Sequence, residues 1–338
     1  MRVLVTGAGG FLGQQIARRL LVRGTTSVRL HYRRDPGEAL RRALRDEFPT
    51  ADLELEVGNL ADRGVCDAAV RGIDCVVHAA AGMRGAPADM FLNTVVTTRE
   101  LLDACGRQSV RRAVLVSSFA AYKTADLPRG SVVDESTSTE ANGTEKGVYA
   151  FVKVWQERLF DQACGRLGID GAVLRPGVIY GSGGTAISPR VGLQAFVWLL
   201  SLGGSCVLPL THVLNCADAV VVAALRAAPG SKYSVVDDDL PTCAEFLREY
   251  RRRVQRVPVL RVPYSALLYG SRCLERYHRR TRGQLPVVFT PYAVRSMYRG
   301  FEYSNFRLKA LGWKPMIATE AGVREFLDTL ALKSRAPE

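Results

Sequence analysis

The sequence predicts an α/β fold in which a doubly wound parallel sheet is followed by a smaller, mostly helical C-terminal lobe. Short apolar runs alternate with helical patterns through the first half of the chain, and a glycine-rich turn follows the first run. Prolines interrupt the helical stretches after residue 237. This is a Rossmann-type arrangement. We expect its sheet unit to span residues 1–180 with a return segment at about 214–237, and the lobe to span 181–213 and 238–338.

The alternating pattern defines the individual elements of the sheet unit. The predicted strands are Arg2 to Val5, Ser27 to His31, Leu53 to Val57, Cys75 to His78, Ala113 to Ser117 and Gly171 to Leu174. The predicted helices are Leu12 to Arg23, Ala61 to Val70, Phe91 to Cys105 and Tyr149 to Leu167. The return segment adds a helix near Ala217 to Arg226 and a strand near Tyr233 to Val236.

Two segments bear on the question of a membrane. Val191 to Leu210 is apolar, but Gln194 and Pro209 are among the residues that interrupt it, so we expect a buried helix and a loop rather than a membrane span. Ser265 to Arg282 combines leucines with arginines. We expect a solvated helix face there, with contact to anionic lipid as the alternative.

The composition is that of a globular protein with an excess of positive charge. Forty-six Lys and Arg against 33 Asp and Glu give a formal charge of +13, which attracts anionic partners. No nucleic-acid-binding pattern accompanies it, so a phosphorylated small molecule is favoured over nucleic acid. The eight cysteines form no Cys-x-x-Cys pair, so no metal site or disulfide framework is expected. Because the chain enters its first strand without a leader, we expect a cytoplasmic location.

The turn after the first strand has the features of a phosphate-binding loop. Gly7, Gly10 and Gly13 recur between the strand and the first helix, where bare backbone N–H groups and the positive helix end can meet a dinucleotide pyrophosphate. The residues predicted to bind a cofactor in this turn are Thr6, Gly7, Gly9, Gly10, Phe11, Leu12 and Gly13.

The end of the second strand bears on the choice of cofactor. An NAD site places an acidic residue there to bond the ribose hydroxyls, whereas this chain has Arg33 and Arg34. Two guanidinium groups can clamp the ribose 2′-phosphate of NADP. The sequence therefore favours NADP, with NAD as the alternative.

A tyrosine, a lysine and a serine carry the predicted chemistry. Tyr149 and Lys153 lie four residues apart on one predicted helix and so share a face. A phenol, with an unperturbed pKa of about 10, is a poor base at neutral pH until a nearby cation stabilises the phenolate. Ser118 follows a strand of the predicted parallel sheet, at the edge where ligands bind, and its hydroxyl can polarise a substrate oxygen.

Taken in order, these motifs resemble those of the extended short-chain dehydrogenase/reductase family. Within that family the chain is similar to NAD-dependent epimerases and dehydratases. The segments that carry the resemblance are Thr6 to Gly13, Gly58-Asn59-Leu60, Val77 to Ala81, Asn93, Leu101 to Cys105, Ser117-Ser118, Tyr149 to Lys153, Leu174 to Gly181 and Leu311 to Pro315. They run along most of the chain and are specific for the fold and the cofactor, but only weakly informative about the substrate.

The resemblance implies an NAD(P)-dependent oxidoreductase or epimerase that acts on a secondary alcohol or ketone. It implies that Ser118 and Tyr149 bond the substrate oxygen, that Lys153 holds the cofactor ribose, and that Pro176 to Val178 lie beside the nicotinamide. Asn59 stands where the family usually has an aspartate near the adenine. The remaining residues that the resemblance assigns to cofactor binding are Leu60, Ala79, Ala80, Ala81, Ser117, Pro176 and Val178.

Among substrates, a nucleotide sugar is the leading hypothesis, which makes the protein an epimerase or ketoreductase. Arg190 and the turn Gly181 to Gly184 are the expected donors to an anionic diphosphate. Phe119-Ala120 follow Ser118 where 4,6-dehydratases carry an Asp-Glu pair, so dehydration is not expected.

The alternative substrate is lipid-like, as for 3β-hydroxysteroid dehydrogenases, because Thr211 and Asn215 stand where sugar-nucleotide enzymes usually have other residues. A non-catalytic NADP-sensing regulator is a further alternative, although such a protein is expected to lose Tyr149 or Lys153. The expected partner is a small-molecule substrate, and a homodimer is compatible with the pattern.

Overall fold

The computed structural model describes residues 1–25, 27–83, 85–184, 187–280 and 290–335. Within them the strands are β1 (Arg2–Thr6), β2 (Ser27–Tyr32), β3 (Asp52–Val57), β4 (Cys75–His78), β5 (Arg112–Val116), β6 (Val132–Val133), β7 (Asp170–Pro176), β8 (Val178–Tyr180), β9 (Gly192–Ala195), β10 (Trp198–Ser201), β11 (Leu210–His212), β12 (Ser231–Val235), β13 (Val259–Arg261) and β14 (Glu302–Tyr303). The helices are α1 (Phe11–Val22), α2 (Glu38–Glu47), α3 (Arg63–Val70), α4 (Pro87–Phe91), α5 (Thr97–Arg107), α6 (Val148–Leu167), α7 (Val213–Arg226), α8 (Cys243–Arg253), α9 (Tyr264–Arg280), α10 (Pro291–Tyr298), α11 (Phe306–Ala310) and α12 (Thr319–Arg335).

Seven parallel strands form the central sheet, in the order β12-β7-β5-β4-β1-β2-β3. Successive residues of a strand face opposite layers: in β1, Val3 and Val5 pack with α1 and α7, whereas Leu4 packs with α3, α5 and α6. Both faces of the sheet are therefore covered, as parallel sheets require. The strand order reverses beside β1, which is where ligands bind in such sheets. The predicted Rossmann-type α/β fold is confirmed.

The first half of the chain follows the predicted elements closely, apart from the two-residue strand β6 and two larger differences. The single helix predicted from Phe91 to Cys105 is divided, because a π-helical turn, Leu92–Val96, joins α4 to α5. Helix α2 was not predicted. Its sequence is highly charged, and its apolar side is narrow: Leu44 is its one buried residue, and Leu40, one turn earlier, packs on the same core.

The prediction of a buried helix and loop for Val191 to Leu210 was wrong. The stretch contains a β-hairpin in which β9 and β10 pair antiparallel, and β13 adds to β10 as a third strand. A short apolar run does not distinguish a buried strand from a buried helix by its periodicity. Here β13, a strand from a later part of the sequence, pairs with β10 and stabilises the strand conformation.

Helix α7 brings the chain back to the sheet unit, packing on α1 before β12 joins the sheet beside β7. At the start of α7 the Asn215 side chain is fully buried, and its oxygen accepts the backbone N–H groups of Met316 and Ile317 at 2.8 and 2.9 Å. The buried Thr211 hydroxyl donates to the Val235 carbonyl at 2.6 Å. Both side chains hold the fold together. The residue boundaries that the sequence predicts for the sheet unit and for the C-terminal lobe stay a prediction.

In the part of the chain that the structure describes, no helix combines the length and the hydropathy needed to cross a bilayer. The same residues contain no group of three or more His, Cys, Asp or Glu side chains arranged to hold a metal ion.

Candidate cofactor and catalytic site

A cavity of about 900 Å³ lies at the carboxyl ends of β1, β4, β5 and β7. One end is formed by the turns that follow these strands. The other is formed by segments from later in the chain, including Ser188 to Arg190, Pro209 and Met297. We call these the cofactor end and the substrate end. The predicted site residues that line the cavity are Gly7, Gly10, Phe11, Leu12, Gly13, Arg33, Asn59, Leu60, Ala79, Ala80, Ala81, Ser117, Ser118, Tyr149, Lys153, Pro176, Val178 and Arg190.

The glycine turn forms a cradle at the cofactor end that larger residues would fill. Gly7 adopts a left-handed conformation (φ 71°), and its carbonyl accepts the N–H of Gly10 at 2.9 Å. A Cβ atom at Gly13 would lie 2.0 Å from the Gly7 oxygen. Helix α1 then starts at Phe11 with no side chain capping it and no acidic residue in its first turn. Its N-terminal N–H groups are suited to an anion, so the turn fits a dinucleotide pyrophosphate.

Residues at the end of β2 line the same region. Arg33 is on the cavity wall, whereas Arg34 is exposed and is not part of it. His31 is also on the wall and is buried. Burial lowers the pKa of His31, so its ring is neutral at pH 7. Nε2 lies 3.0 Å from the Gly58 carbonyl and therefore donates to it, and Nδ1 has no hydrogen-bond partner among the described residues.

Sequence reasoning missed His31. The unpartnered Nδ1 of the neutral ring is a buried acceptor in a residue of the cavity wall. Its position two residues before Arg33 was the available signal, but a histidine inside a strand is more often a core residue.

The three predicted catalytic side chains meet in the middle of the cavity. Tyr149 is in the first turn of α6, and Ser118 follows β5. Burial raises the pKa of the Tyr149 phenol, and a hydrogen bond with Ser118 acts in the opposite direction. One turn further along α6, burial lowers the pKa of Lys153 to about 8, while nearby Glu157 opposes this shift. A phenol and a hydroxyl bonded to each other and an ammonium one helical turn further along thus line one cavity.

Lys153 is held by a buried hydrogen-bond network. Its Nζ donates to the Val116 carbonyl at 3.0 Å and to the Gln156 side-chain oxygen at 2.9 Å. The Gln156 amide donates in turn to the Thr98 hydroxyl at 2.9 Å, and this hydroxyl lies 2.9 Å from Nε2 of His78. Four buried side chains therefore connect α6 through α5 to β4, and they fix the position of the ammonium.

The network ends at the glycine turn, and it determines the tautomer of His78. The Thr98 hydroxyl donates to the Thr94 carbonyl at 2.5 Å, so it accepts from Nε2–H of His78. Nδ1 is then the acceptor for the Thr6 hydroxyl at 2.7 Å, and the Thr6 oxygen accepts the Ala80 N–H at 3.3 Å. Burial, together with the charges of Lys153 and His31, lowers the pKa of His78 to about 3, which agrees with a neutral ring.

Three residues predicted to bind cofactor do not line the cavity. Thr6 is fully buried and supports it from behind, through His78 and Ala80. Gly9 lies against the Tyr32 ring, where an added Cβ would come within 3.2 Å of the ring. Arg34 is exposed beside the wall residue Arg33. Their roles in cofactor binding stay predictions.

Ser117 reaches the wall, but its hydroxyl bonds to the buried carboxylate of Glu157. The same carboxylate forms a buried ion pair with Arg175 at 2.6 Å. The Arg175 guanidinium also stacks over the Tyr122 ring, 4.6 Å from its centroid. A buried pair with several hydrogen bonds fixes the surrounding elements in register, so this cluster supports the strand end that presents Ser118.

The substrate end differs in character from the cofactor end. Phe119, Pro209 and Met297 contribute apolar surface to the wall. Arg190 lines the cavity, but its Nη1 donates to the Met297 carbonyl at 3.2 Å and to the Tyr303 hydroxyl at 3.4 Å.

The lysine at this end is also engaged with the protein. Lys146 donates to the Tyr122 carbonyl at 2.5 Å and lies 3.6 Å from Glu140. Burial lowers the pKa of Lys146 to about 8. The turn from Gly181 to Gly184, predicted to bind a diphosphate, does not line the cavity.

Comparison with known proteins identifies the family. The model of the NAD dependent epimerase/dehydratase family matches residues 3–236, which is more than half of the chain. The chain belongs to this family. Like other NAD-dependent epimerase/dehydratase family members, it is an extended short-chain dehydrogenase/reductase, and its cofactor is NAD(P).

Two relatives and one solved structure place it within the family. The chain is 29% identical to a 3β-hydroxysteroid dehydrogenase/Δ5→4-isomerase of Mycobacterium tuberculosis, over 96% of this chain and 89% of that protein. It is 30% identical to a 2-alkyl-3-oxoalkanoate reductase of Stenotrophomonas maltophilia, over 68% and 67% of the two chains. A UDP-glucose 4-epimerase structure from Thermus thermophilus, with NAD, aligns with a TM-score of 0.69, 22% identity and coverage of 99% and 100%.

This epimerase/dehydratase family member is an NAD(P)-dependent enzyme. The alternative of a non-catalytic regulator is therefore set aside. The structural likeness to the epimerase shows the shared fold. The relatives named as dehydrogenase and reductase bear on the substrate, which neither the family nor the fold determines.

Proposed function

We propose that the protein is an NADP-dependent oxidoreductase that interconverts a secondary alcohol and a ketone on an apolar, lipid-like substrate. The observation that carries this proposal is the state of the cations at the substrate end. Arg190 and Lys146 are bonded to protein oxygens, among apolar wall residues such as Phe119 and Met297. Moving the Arg190 guanidinium to a diphosphate takes a donor from the Met297 carbonyl, and moving the Lys146 ammonium takes one from the Tyr122 carbonyl, which is costly in a buried site.

The catalytic roles follow from the chemistry of the three central side chains. The bound nicotinamide supplies or accepts the hydride. Tyr149 passes a proton to or from the substrate oxygen, and the Ser118 hydroxyl bonds that oxygen and orients it. The Lys153 ammonium stabilises the phenolate form of Tyr149 and holds the cofactor ribose. The buried network through Gln156 keeps the ammonium in this position.

The preference for NADP over NAD rests on Arg33. Its guanidinium is on the cavity wall, near the place where a dinucleotide bound by the glycine turn would put its adenosine ribose. No acidic residue occupies this part of the described wall, so a ribose hydroxyl lacks its usual carboxylate partner while a 2′-phosphate gains a cation.

A nucleotide sugar is the second candidate substrate, and one observation favours it. Arg190 reaches the cavity wall, and a diphosphate could recruit it. The enzyme would then be an epimerase or ketoreductase, since Phe119 and Ala120 provide no acid-base pair for a 4,6-dehydration. Whichever substrate the enzyme uses, the proposed function also includes the homodimer and the cytoplasmic location that we inferred from the sequence.

The two candidates are separated by thermal unfolding of the protein with NADP present. A ligand at a hundred times its dissociation constant stabilises a protein by about 2.7 kcal/mol. We expect sterols or long-chain ketones to raise the melting temperature and UDP, GDP, CDP and dTDP to leave it unchanged. Oxidation of NADPH with the stabilising ketone, followed by absorbance, tests turnover. A shift with a nucleoside diphosphate that Arg190→Ala removes would overturn the apolar substrate in favour of the nucleotide sugar.

A further inference from the structure

The tip of the β9–β10 hairpin exposes an unusual group of apolar residues. Phe196 is 97% exposed, Val197 69% and Trp198 49%. Phe196 also has a left-handed backbone (φ 54°), a conformation that bulky residues rarely adopt. The Gln194 amide supports the turn by donating to the Phe196 carbonyl at 2.9 Å. An aromatic residue here incurs both backbone strain and hydration of apolar surface, which indicates a function outside the folded chain.

Helix α9 is joined to this hairpin by packing. Strand β13 pairs with β10 and leads into α9, and Leu260 on β13 is 54% exposed. Leu267 and Leu268 of α9 pack with Leu193 and Leu200 of the hairpin strands in one cluster. The hairpin, β13 and α9 therefore form one structural block.

The outward side of α9 is both basic and apolar. Tyr269 is 70% exposed and Leu274 53%. Four exposed arginines share this helix: Arg272, Arg276, Arg279 and Arg280. An amphipathic helix with exposed apolar residues among arginines is typical of segments that lie in a membrane interface.

The same block carries an excess of positive charge. Between Val259 and Arg280, the segment of β13 and α9, the sequence contains five arginines and one glutamate, with no lysine or aspartate. The net charge of this segment is +4. Each basic residue near an anionic bilayer contributes about 1 kcal/mol.

We propose that the protein docks peripherally on an anionic phospholipid bilayer through this block. The docking face consists of Phe196 to Trp198, Leu260 and the outward side of α9. The hairpin tip inserts among the acyl chains, and the arginines of α9 contact the lipid phosphates. A second copy of the chain would oppose the same basic surface, and charge repulsion disfavours that contact. Nucleic acid would pair with the arginines but gives no apolar partner to Val197, Leu260 or Leu274. Docking does not depend on which substrate the enzyme uses.

Co-sedimentation of the full chain with vesicles tests this docking. We expect binding to vesicles of equal parts phosphatidylglycerol and phosphatidylcholine, and little binding to phosphatidylcholine alone. High salt should weaken the binding because it screens the charges. Phe196→Ser combined with Trp198→Ser should weaken it about tenfold or more, since each aromatic side chain loses its apolar burial. Arg272→Glu with Arg276→Glu should abolish it.

Phe306→Ser is the matched control, because Phe306 is 74% exposed on α11, outside the docking face. It should bind vesicles like the unchanged protein. Each variant is first shown to be folded by its melting temperature and its NADP affinity. Absence of binding to anionic vesicles, or equal weakening by Phe306→Ser, would overturn the proposal. A concentration-dependent dimer that the hairpin variant disrupts, without vesicle binding, would assign the face to a second copy instead.

Discussion

The two ends of the cavity are built in different ways. The cofactor end comes from short turns that each follow a strand of the parallel sheet, and behind it lies a continuous buried network from Lys153 to Thr6. The substrate end is assembled from side chains distant in sequence, such as Phe119, Arg190 and Met297. Local residue spacing therefore predicts the residues of the cofactor end, whereas the residues of the substrate end are brought together only by tertiary packing.

The largest effect is expected where the two ends meet. Tyr149→Phe removes the proton-transferring hydroxyl and keeps the ring, so turnover should fall about a hundredfold or more. NADP affinity should change little, because the ring packing is retained. Steady-state kinetics with the ketone identified by thermal protection, and a fluorescence titration with NADPH, measure the two quantities separately.

Lys153→Met provides the comparison for this variant. In the proposed mechanism Lys153 stabilises the phenolate and bonds the ribose, so turnover and cofactor affinity should both decrease. Near-normal turnover of Tyr149→Phe on its physiological substrate would exclude this tyrosine from the mechanism.

The glycine turn should tolerate little change. A Cβ at Gly13 would lie 2.0 Å from the Gly7 carbonyl oxygen, so Gly13→Ala must displace the turn that we propose holds the pyrophosphate. Overpacking of this kind costs about 1–3 kcal/mol, and we expect NADPH affinity to fall by at least a comparable amount. Gly165→Ala is the control, since a Cβ there meets no atom within 4 Å. Equal affinities for the two variants would show that the turn is not a close-fitting cradle.

The fold and much of the cavity wall were predictable because their signals are local. Strand–turn–helix spacing placed Gly7 to Gly13, and the four-residue interval placed Tyr149 and Lys153 on one helix face. Ser118 was found because the carboxyl ends of parallel strands meet at one edge. Of the predicted catalytic and cofactor-binding residues, all but Thr6, Gly9 and Arg34 line the cavity, whereas the turn from Gly181 to Gly184, predicted to bind a diphosphate, does not.

The rest depends on contacts that no local pattern records. The hairpin of β9 and β10 pairs with β13, a strand from a later part of the chain. The apolar run itself gives no sign of this partner, so a helix was predicted there. Gln156 is one polar residue on a mixed helix: the three-residue interval brings it to Lys153, but only packing brings it to Thr98. Arg190 was identified as a cation near the substrate, but its bonds to Met297 and Tyr303 cross more than a hundred residues.

The two arginines after β2 offer a smaller, sharper test. Arg33 lines the cavity and Arg34 does not. A hydrogen bond to a charged group is worth about 1.5–3 kcal/mol, so Arg33→Ala should weaken NADP about tenfold or more and leave NAD nearly unchanged. Arg34→Ala should affect both cofactors little. Titration calorimetry of the two variants with both cofactors decides. If Arg33→Ala weakened the binding of NADP and NAD equally, these arginines would be part of a basic surface and would not recognise the 2′-phosphate.

The smallest effect concerns the support of the cofactor end and appears in the pH dependence of stability. Burial and nearby positive charge hold the pKa of His78 at about 3, against an ordinary value of 6.5. Below pH 6.5 the unfolded chain therefore gains a proton that the folded chain does not accept. The stabilisation is fully present above that pH and is lost as the pH falls towards 3, by up to about 1.4 kcal/mol for each unit.

His78→Gln removes this titration. Protonation of the native ring would place an N–H against the Thr6 O–H, which donates to that nitrogen, so the hydroxyl would have to turn its own hydrogen away from the ring. We expect the variant to be less stable at pH 7 but to lose less stability between pH 7 and 5 than the unchanged protein. Urea unfolding at both values measures this, with Gly165→Ala, which changes no titratable group, as the control that should keep the native slope. An unchanged slope in His78→Gln would mean that another group, such as His31 or His212, whose pKa burial also lowers, dominates the acid response.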